Sequence, residues 1–321
     1  MQTIVGVLRG GPSREHEVSL RTGHAILAHL HPERYTPRDI FIDKKGTWHL
    51  AGRPVEPARA LAQIDVALLG LHGEYGEDGS VQKILERHGI PYSGADSFAS
   101  YLAAHKVLAK ERARDIGFLT PRYTLLEPRD GEERKIAEAV RNFLPPFVVK
   151  PIRWGSSFGI ILARDYAELY RAAIDLLAQG AEGVLVEEYI RGREATVSVV
   201  EKMRGEDLYT PPPVEIILPS QEKIFSFNTK YASTAREICP APFPREVSLE
   251  LMRSARAIHT ALGARHYSRS DFIVTPRGIY YLETNTLPGL TPESIFPRAL
   301  AAVGISLPLF LEHLIALAQE R

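Results

Sequence analysis

Glu283 and Asn285 stand two apart at the end of an apolar run, Ile279-Tyr280-Tyr281-Leu282. On an extended strand, side chains two apart leave the same face. Asp271 opens a second apolar run, Asp271-Phe272-Ile273-Val274, and a turn at Pro276-Arg277-Gly278 would fold the two runs into a hairpin. That hairpin brings three oxygen donors together on rigid backbone. Such a set suits a hard divalent cation, above all Mg²⁺ shared with substrate phosphates, with Mn²⁺ as the alternative. Arg269 stands beside them as a fixed cation. One acid in an apolar segment is usually salt-bridged structure. Three donors, an arginine and the rigid Pro288-Gly289 turn together point to phosphoryl chemistry.

A second constellation lies upstream. Lys150 ends the apolar strand Phe147-Val148-Val149 and precedes the loop Gly155-Ser156-Ser157-Phe158-Gly159, after which Ile160-Ile161-Leu162 resumes an extended pattern. Small residues let backbone N–H groups and the hydroxyls of Ser156 and Ser157 close over phosphates. Strand, glycine turn, strand is a hairpin, which matches neither a P-loop nor a dinucleotide fingerprint. An ordinary hairpin with a snorkelling lysine explains this stretch equally well when it is taken alone. The run Val184-Leu185-Val186-Glu187-Glu188-Tyr189-Ile190 turns polar at its end; by itself it reads as a solvated strand end rather than a purine site. Gly10-Gly11-Pro12-Ser13-Arg14-Glu15 opens a helix at a strand tip, where helix capping competes with ligand binding. His72-Gly73-Glu74-Tyr75-Gly76-Glu77-Asp78-Gly79 is an acidic, glycine-rich turn in which a lone histidine is more often structural.

These residues need elements to hold them. Residues 3–9 read as a buried first strand, followed by a helix over about 17–30, strands near 37–42 and 64–70, and a helix after Asp78. Alternating strands and helices predict an α/β, doubly wound parallel sheet with its ligand edge at the strand C-termini. A helix is expected over about 104–116, another over about 166–179, and a C-terminal one over about 306–319 with Leu309, Leu311, Leu314 and Leu317 on its packed face. Ser226–Pro244, containing Lys230-Tyr231, reads as one long loop, and loops of that length are often lids.

With 321 residues the chain can bury more than one core. Lys+Arg and Asp+Glu are both 39, so no global basic field calls for nucleic acid. The single Cys239 excludes an internal disulfide and favours a reducing compartment. No apolar run approaches a membrane span, so no membrane partner is expected and a cytoplasmic location is.

Taken together the motifs resemble the D-alanine–D-alanine ligase family of the ATP-grasp superfamily. Four pieces carry the likeness: Gly10-Gly11-x-Ser13-x-Glu15-x-Glu17-Val18-Ser19; His72-Gly73-x-x-Gly76-Glu77-Asp78-Gly79; Lys150-Pro151-x-x-x-Gly155-Ser156-Ser157-x-Gly159; and Glu283-x-Asn285-Thr286-x-Pro288-Gly289 with Ser294 downstream. The resemblance implies a three-domain ATP-grasp fold: an N-terminal α/β domain over 1–95, a central subdomain with the glycine loop over 96–186, and a C-terminal subdomain over 187–321. It implies ATP-dependent joining of two D-alanines through an acyl phosphate, and a homodimer. Residue by residue it implies Mg²⁺ on Asp271, Glu283 and Asn285. It puts ATP phosphates on Lys106, Lys150, Lys230 and Ser157, and adenosine on Glu187, Glu194 and the backbone near Glu188 and Ile190. Glu15 would anchor the first ammonium with His72 nearby, and Ser156 and Tyr231 would link to Glu15. Arg269 and the Gly289 N–H would hold the oxyanion, and Ser294 with the Ile295 backbone the second carboxylate. Tyr231 matches the dipeptide-forming members. Departures from the commoner pattern fall at Ile152-Arg153-Trp154 and Phe158, on the flanks of the glycine loop.

Overall fold

The structure is a computed structural model describing residues 2–128, 132–155, 157–219 and 235–320. The strand Thr3–Gly10 lies inside the first sheet, with Val5, Val7 and Leu8 fully buried. A strand covered on both faces shows a near-continuous apolar run rather than alternation. It pairs in parallel with Tyr35–Ile42 on one side and Val66–Leu69 on the other. The far edge departs from the wholly parallel sheet expected. Trp48–Leu50 runs antiparallel to Tyr35–Ile42, and Arg53–Val55 antiparallel to Trp48–Leu50. A tight turn at Ala51-Gly52, both at positive φ, makes that hairpin and needs no crossover helix. Thr3–Gly10 ends where only glycine fits. Gly10 has φ +94°, and a Cβ there would sit 2.2 Å from the Ile42 carbonyl oxygen. The chain therefore turns at the strand tip into the helix His16–His29, delivering Glu15 to the sheet's C-terminal edge.

The central sheet is antiparallel, in the order Tyr123–Leu126, Val184–Glu188, Phe147–Pro151, Ile161–Ala163. Phe147–Pro151 and Ile161–Ala163 are the two arms of the expected glycine-turn hairpin. The helix expected over about 104–116 is Lys106–Asp115, and a second helix, Ser97–Ala104, precedes it. The break is at His105, in extended backbone (φ −88°, ψ 97°), whose ring accepts a hydrogen bond from the Leu108 N–H at 3.3 Å. That break places Lys106 at the start of a helix.

The third sheet runs Arg236–Ile238, Val214–Ile217, Arg193–Met203, Tyr267–Thr275, Gly278–Asn285, with Glu206–Tyr209 paired to Arg193–Met203. Its strand Arg236–Ile238 corrects the reading of 226–244 as one loop; residues 226–234 lie outside the described residues. The C-terminal helix Leu307–Gln319 buries Phe310, Leu311, Leu314, Ile315 and Leu317, but Leu309 points out at 50% exposure. Phe310 takes the inward position instead. Its ring and that of Phe296 both meet Tyr267 edge-on, at 5.5 and 5.4 Å. One apolar core thus runs from Leu8 and Leu69 of the first sheet to Tyr267 and Phe310 of the last third of the chain. Among the described residues no helix is long and apolar enough to cross a membrane.

Candidate active site

The hairpin Tyr267–Thr275/Gly278–Asn285 forms as its sequence predicts, turning at Pro276-Arg277. Its register sets Asp271 opposite Glu283 and Arg269 opposite Asn285, with a bulge between Asp271 and Phe272. A bulge re-aims side chains and leaves one residue out of the ladder. Arg269 is 8% exposed and grips Asp271 as a fork, Nε to Oδ1 at 3.0 Å and NH2 to Oδ2 at 2.9 Å. Thr196 also donates to Oδ1, at 2.5 Å. Burial works against the charge of Arg269, but Asp271, then Glu283 and Glu77, hold its pKa well above the ordinary value. Asn285 Oδ1 accepts the Leu287 N–H at 2.8 Å and so shapes the turn into Pro288-Gly289. A carbonyl oxygen keeps a second lone pair for another partner.

Four charges stack behind this hairpin. Glu187 is buried with one carboxylate oxygen 2.7 Å from Lys150 Nζ and the other 2.7 Å from Lys110 Nζ. Burial would raise the Glu187 pKa, yet the two lysines hold it below the usual range. Burial pushes Lys110 down to about 8 in spite of Glu187. Lys106 Nζ lies 3.6 Å from Glu283 and donates to the Trp154 carbonyl at 2.7 Å; burial lowers its pKa and Glu283 opposes that. Lys110 was not singled out from the sequence. The signal was its place four residues after Lys106, on the same helix face. The adenosine role implied for the Glu187 side chain meets a carboxylate already engaged by two lysines. The Glu188 carboxylate binds the Arg122 N–H and guanidinium at 2.9 Å each, which leaves the backbone role implied there unaffected.

A cavity of about 710 Å³ opens between the central and third sheets, lined by Lys150, Ser157, Ile190, Glu194, Asp271 and Glu283 among others. That volume is in the range of cofactor-sized sites. Glu194 Oε2 is buried there without a hydrogen-bond partner. Burial, then the charges of Asp271 and Glu283, lifts the Glu194 pKa to about 8. A second cavity of about 140 Å³ is lined by Lys106, Gly155, Arg269, Asp271, Glu283 and Asn285 among others. Ser157, Asp271 and Glu283 line both, so the two spaces meet at the hairpin acids.

The donors there fit a hard cation. Among the described residues no group of three or more His, Cys, Asp and Glu forms a metal-type cluster. The set is two carboxylates and an amide oxygen; Arg269 pairs with Asp271 and Lys106 stands 3.6 Å from Glu283, and after burial the two acids add to the lift of Glu194.

The glycine loop reaches across to the Glu15 turn at the edge of the first sheet. Phe158 N–H bonds back to the Gly155 carbonyl at 2.9 Å, and Ser157 sits at φ 58°. A Cβ on Gly155 would fall 2.4 Å from Glu15 Oε2, so the loop rests on that carboxylate. Glu15 is 6% exposed, its N–H bound to Ser13 Oγ at 3.0 Å, which in turn donates to the His72 carbonyl at 2.7 Å. The His72 ring faces Thr22 Oγ1 at 2.7 Å and lines neither large cavity; its neighbour Gly73 does. Gly289 and Ser294 meet at the far end of the same turn, where a Cβ on Gly289 would be 2.8 Å from Ser294 Oγ. Ser294 Oγ pairs with Thr291 Oγ1 at 2.9 Å, and Ile295 follows, buried, at the start of the helix Ile295–Ala301. Gly289, Ser294 and Ile295 line neither large cavity. Ser156, Lys230 and Tyr231 lie outside the described residues.

Known proteins share this arrangement over the whole chain. The family model for the D-ala D-ala ligase N-terminus matches residues 4–95, and that for the C-terminus residues 113–316. A D-alanine–D-alanine ligase of Desulforudis audaxviator is 37% identical over 99% of this chain and 99% of its own. One of Citrifermentans bemidjiense is 39% identical over 94% of this chain and 92% of its own. Among solved structures, the VanG D-Ala:D-Ser ligase of Enterococcus faecalis superposes with TM-score 0.86 at 30% identity, covering 99% of this chain and 100% of that one. The Bacillus anthracis D-alanine–D-alanine ligase complexed with ATP gives 0.79 at 29% identity, covering 98% and 97%. With both halves matched by family models and the acid hairpin, glycine loop and Glu15 turn meeting in space, the chain belongs to the D-alanine–D-alanine ligase family.

Proposed function

We propose that this chain joins two D-alanines in an ATP-dependent, ADP-forming reaction that makes a peptidoglycan precursor. The observation that carries the reading is the meeting of a nucleotide-sized cavity and a small polar one at Ser157, Asp271 and Glu283. A carboxylate resists attack until one oxygen becomes a good leaving group. Transfer of the γ-phosphoryl group to the first D-alanine supplies that group as an acyl phosphate. The second amine then adds to the acyl carbon, and phosphate leaves from the tetrahedral centre. Positioning and neutralisation of charge carry most of such a transfer.

The chain's own groups divide the work. Lys150, held by Glu187, and Lys106 face the phosphates, and Ser157 closes over them. The partnerless oxygen of Glu194 takes the ribose hydroxyls. Glu187 serves by orienting Lys150, and Ile190 and the backbone at Glu188 border the base. Asp271, Glu283 and Asn285 would hold Mg²⁺, or Mn²⁺, which when bound draws charge from the phosphate oxygens. Glu15 anchors the first ammonium under the loop. Arg269 and the Gly289 N–H stabilise the oxyanion as preorganised donors. Ser294 and the Ile295 backbone receive the second carboxylate. Ser156, Lys230 and Tyr231 keep the roles the resemblance implies, as do the division at 1–95, 96–186 and 187–321, the homodimer and the cytoplasmic location. The test is phosphate release and dipeptide formation with ATP, Mg²⁺ and D-alanine. Both products are expected together and in equal amounts; ATP binding without D-alanine-dependent phosphate release would refute the reading.

A further inference from the structure

The glycine loop departs from the commoner family pattern at Trp154 and Phe158, and the structure gives both rings one partner. The guanidinium of Arg14 lies 3.7 Å from the Trp154 ring centroid and 5.1 Å from that of Phe158. Its NH2 donates to the Gln179 carbonyl at 3.1 Å. Gln179 caps the C-terminal end of the helix Tyr166–Ala178, where helix dipoles favour a cation. Arg14 thus spans three pieces of the molecule: the Glu15 turn, both flanks of the glycine loop, and the helix behind it. Only a gap of about 10 Å³ remains among Arg14, Glu15, Trp154, Gly155 and Phe158.

We propose that Arg14 is a positioning residue that latches the glycine loop closed over the ATP site by clamping Trp154 and Phe158. Arg14 touches no reacting atom. Its effect passes through Trp154, whose ring it covers and whose carbonyl holds Lys106 at 2.7 Å. Trp154 is only 7% exposed and belongs to the central core, so fixing its ring fixes the root of the loop. Because Arg14 and Glu15 are adjacent, the turn that would anchor the first substrate also carries the latch. A lysine could not replace it, since a compact ammonium neither stacks on the indole nor keeps the planar fork that reaches Gln179.

This inference rests on the reading that the loop covers ATP, and the experiment separates the two. The chain has two tryptophans, and Trp48 is buried at 2% exposure with its indole N–H on Tyr75 Oη at 2.8 Å. Acrylamide quenching, with the Trp154→Leu signal subtracted, therefore reports Trp154 and requires no turnover. In Arg14→Ala, quenching of Trp154 should rise. The KM for ATP should rise about tenfold, from losing a cation stacked on two rings, while kcat stays within about threefold. Arg14→Lys should fall with Arg14→Ala rather than with the parent. The ATP effects of Arg14→Ala and Trp154→Leu should be non-additive in the double variant. Unchanged quenching in Arg14→Ala would overturn the latch whether or not D-alanine is ligated; in the active enzyme a parent-like KM for ATP or additive effects would each overturn it too.

Discussion

Glu194 and Lys110 are ionisable groups held far from their ordinary behaviour by one buried charge system. Glu194 has its pKa lifted to about 8 by burial and by Asp271 and Glu283. The unfolded chain releases that proton near the ordinary carboxylate value, while the fold keeps it. Between about pH 5 and 8 the folded state therefore binds more protons, and stability must fall as pH rises. Without ligand or divalent metal, Glu194→Gln should remove this fall and gain up to a few kcal/mol over the parent at pH 8. Urea melts at several pH values read the difference, and parallel profiles would contradict it. Lys110 keeps Glu187 from being half-paired in the interior. Lys110→Met should cost roughly 3 kcal/mol of stability by denaturant melts, because breaking one side of a buried pair strands the other charge. A cost below about 1 kcal/mol would show that Lys150 alone satisfies Glu187.

At the scale of elements, the glycine loop and the Glu15 turn are made for each other's surfaces. Gly155→Ala would drive a Cβ into the Glu15 carboxylate, 2.4 Å away. The variant should fold, since the clash is with a side-chain tip. It should lose on the order of a hundredfold in turnover, because the loop and the substrate anchor cannot both keep their places. Near-parent turnover would mean the loop need not rest on Glu15. Much of this was legible in the chain. The spacing of Glu283 and Asn285 and the Pro276-Arg277-Gly278 turn specify the acid hairpin, since strand periodicity and turn chemistry are local. What escaped was non-local. The helix Ser97–Ala104 went unread; it ends at His105, whose extended backbone and ring cap start the expected helix Lys106–Asp115. The spacing of Lys110 from Lys106 puts both on one helix face, but its place beside Glu187 depends on two elements meeting. Leu309 and Phe310 are equally apolar, and only packing against Tyr267 decides which faces in.

At the scale of the whole molecule, a continuous core joins the chain's two ends. Phe296, Phe310 and Leu314 pack into the same cluster as Val5, Leu8 and Leu69. This fixes the first sheet, with its Glu15 turn, against the strand that carries Arg269 and Asp271. The central sheet has its own core of Leu126, Phe147, Val149, Leu169 and Val186. Its glycine loop touches the rest at Glu15 and Arg14. The phosphate loop is thus carried by a sheet with its own core, while the strand with Arg269 and Asp271 packs through Tyr267 on the core of the first sheet. Which acceptor the closed site favours is the sharpest question, since structural relatives include both a D-Ala:D-Ser ligase and D-alanine–D-alanine ligases. The most direct measurement offers the protein ATP, Mg²⁺ and an equimolar mixture of D-alanine, D-serine and D-lactate, and identifies products by mass. D-alanyl-D-alanine should dominate, with phosphate released in equal amount. A dominant D-alanyl-D-serine or D-alanyl-D-lactate product, or phosphate released without any dipeptide, would contradict the account.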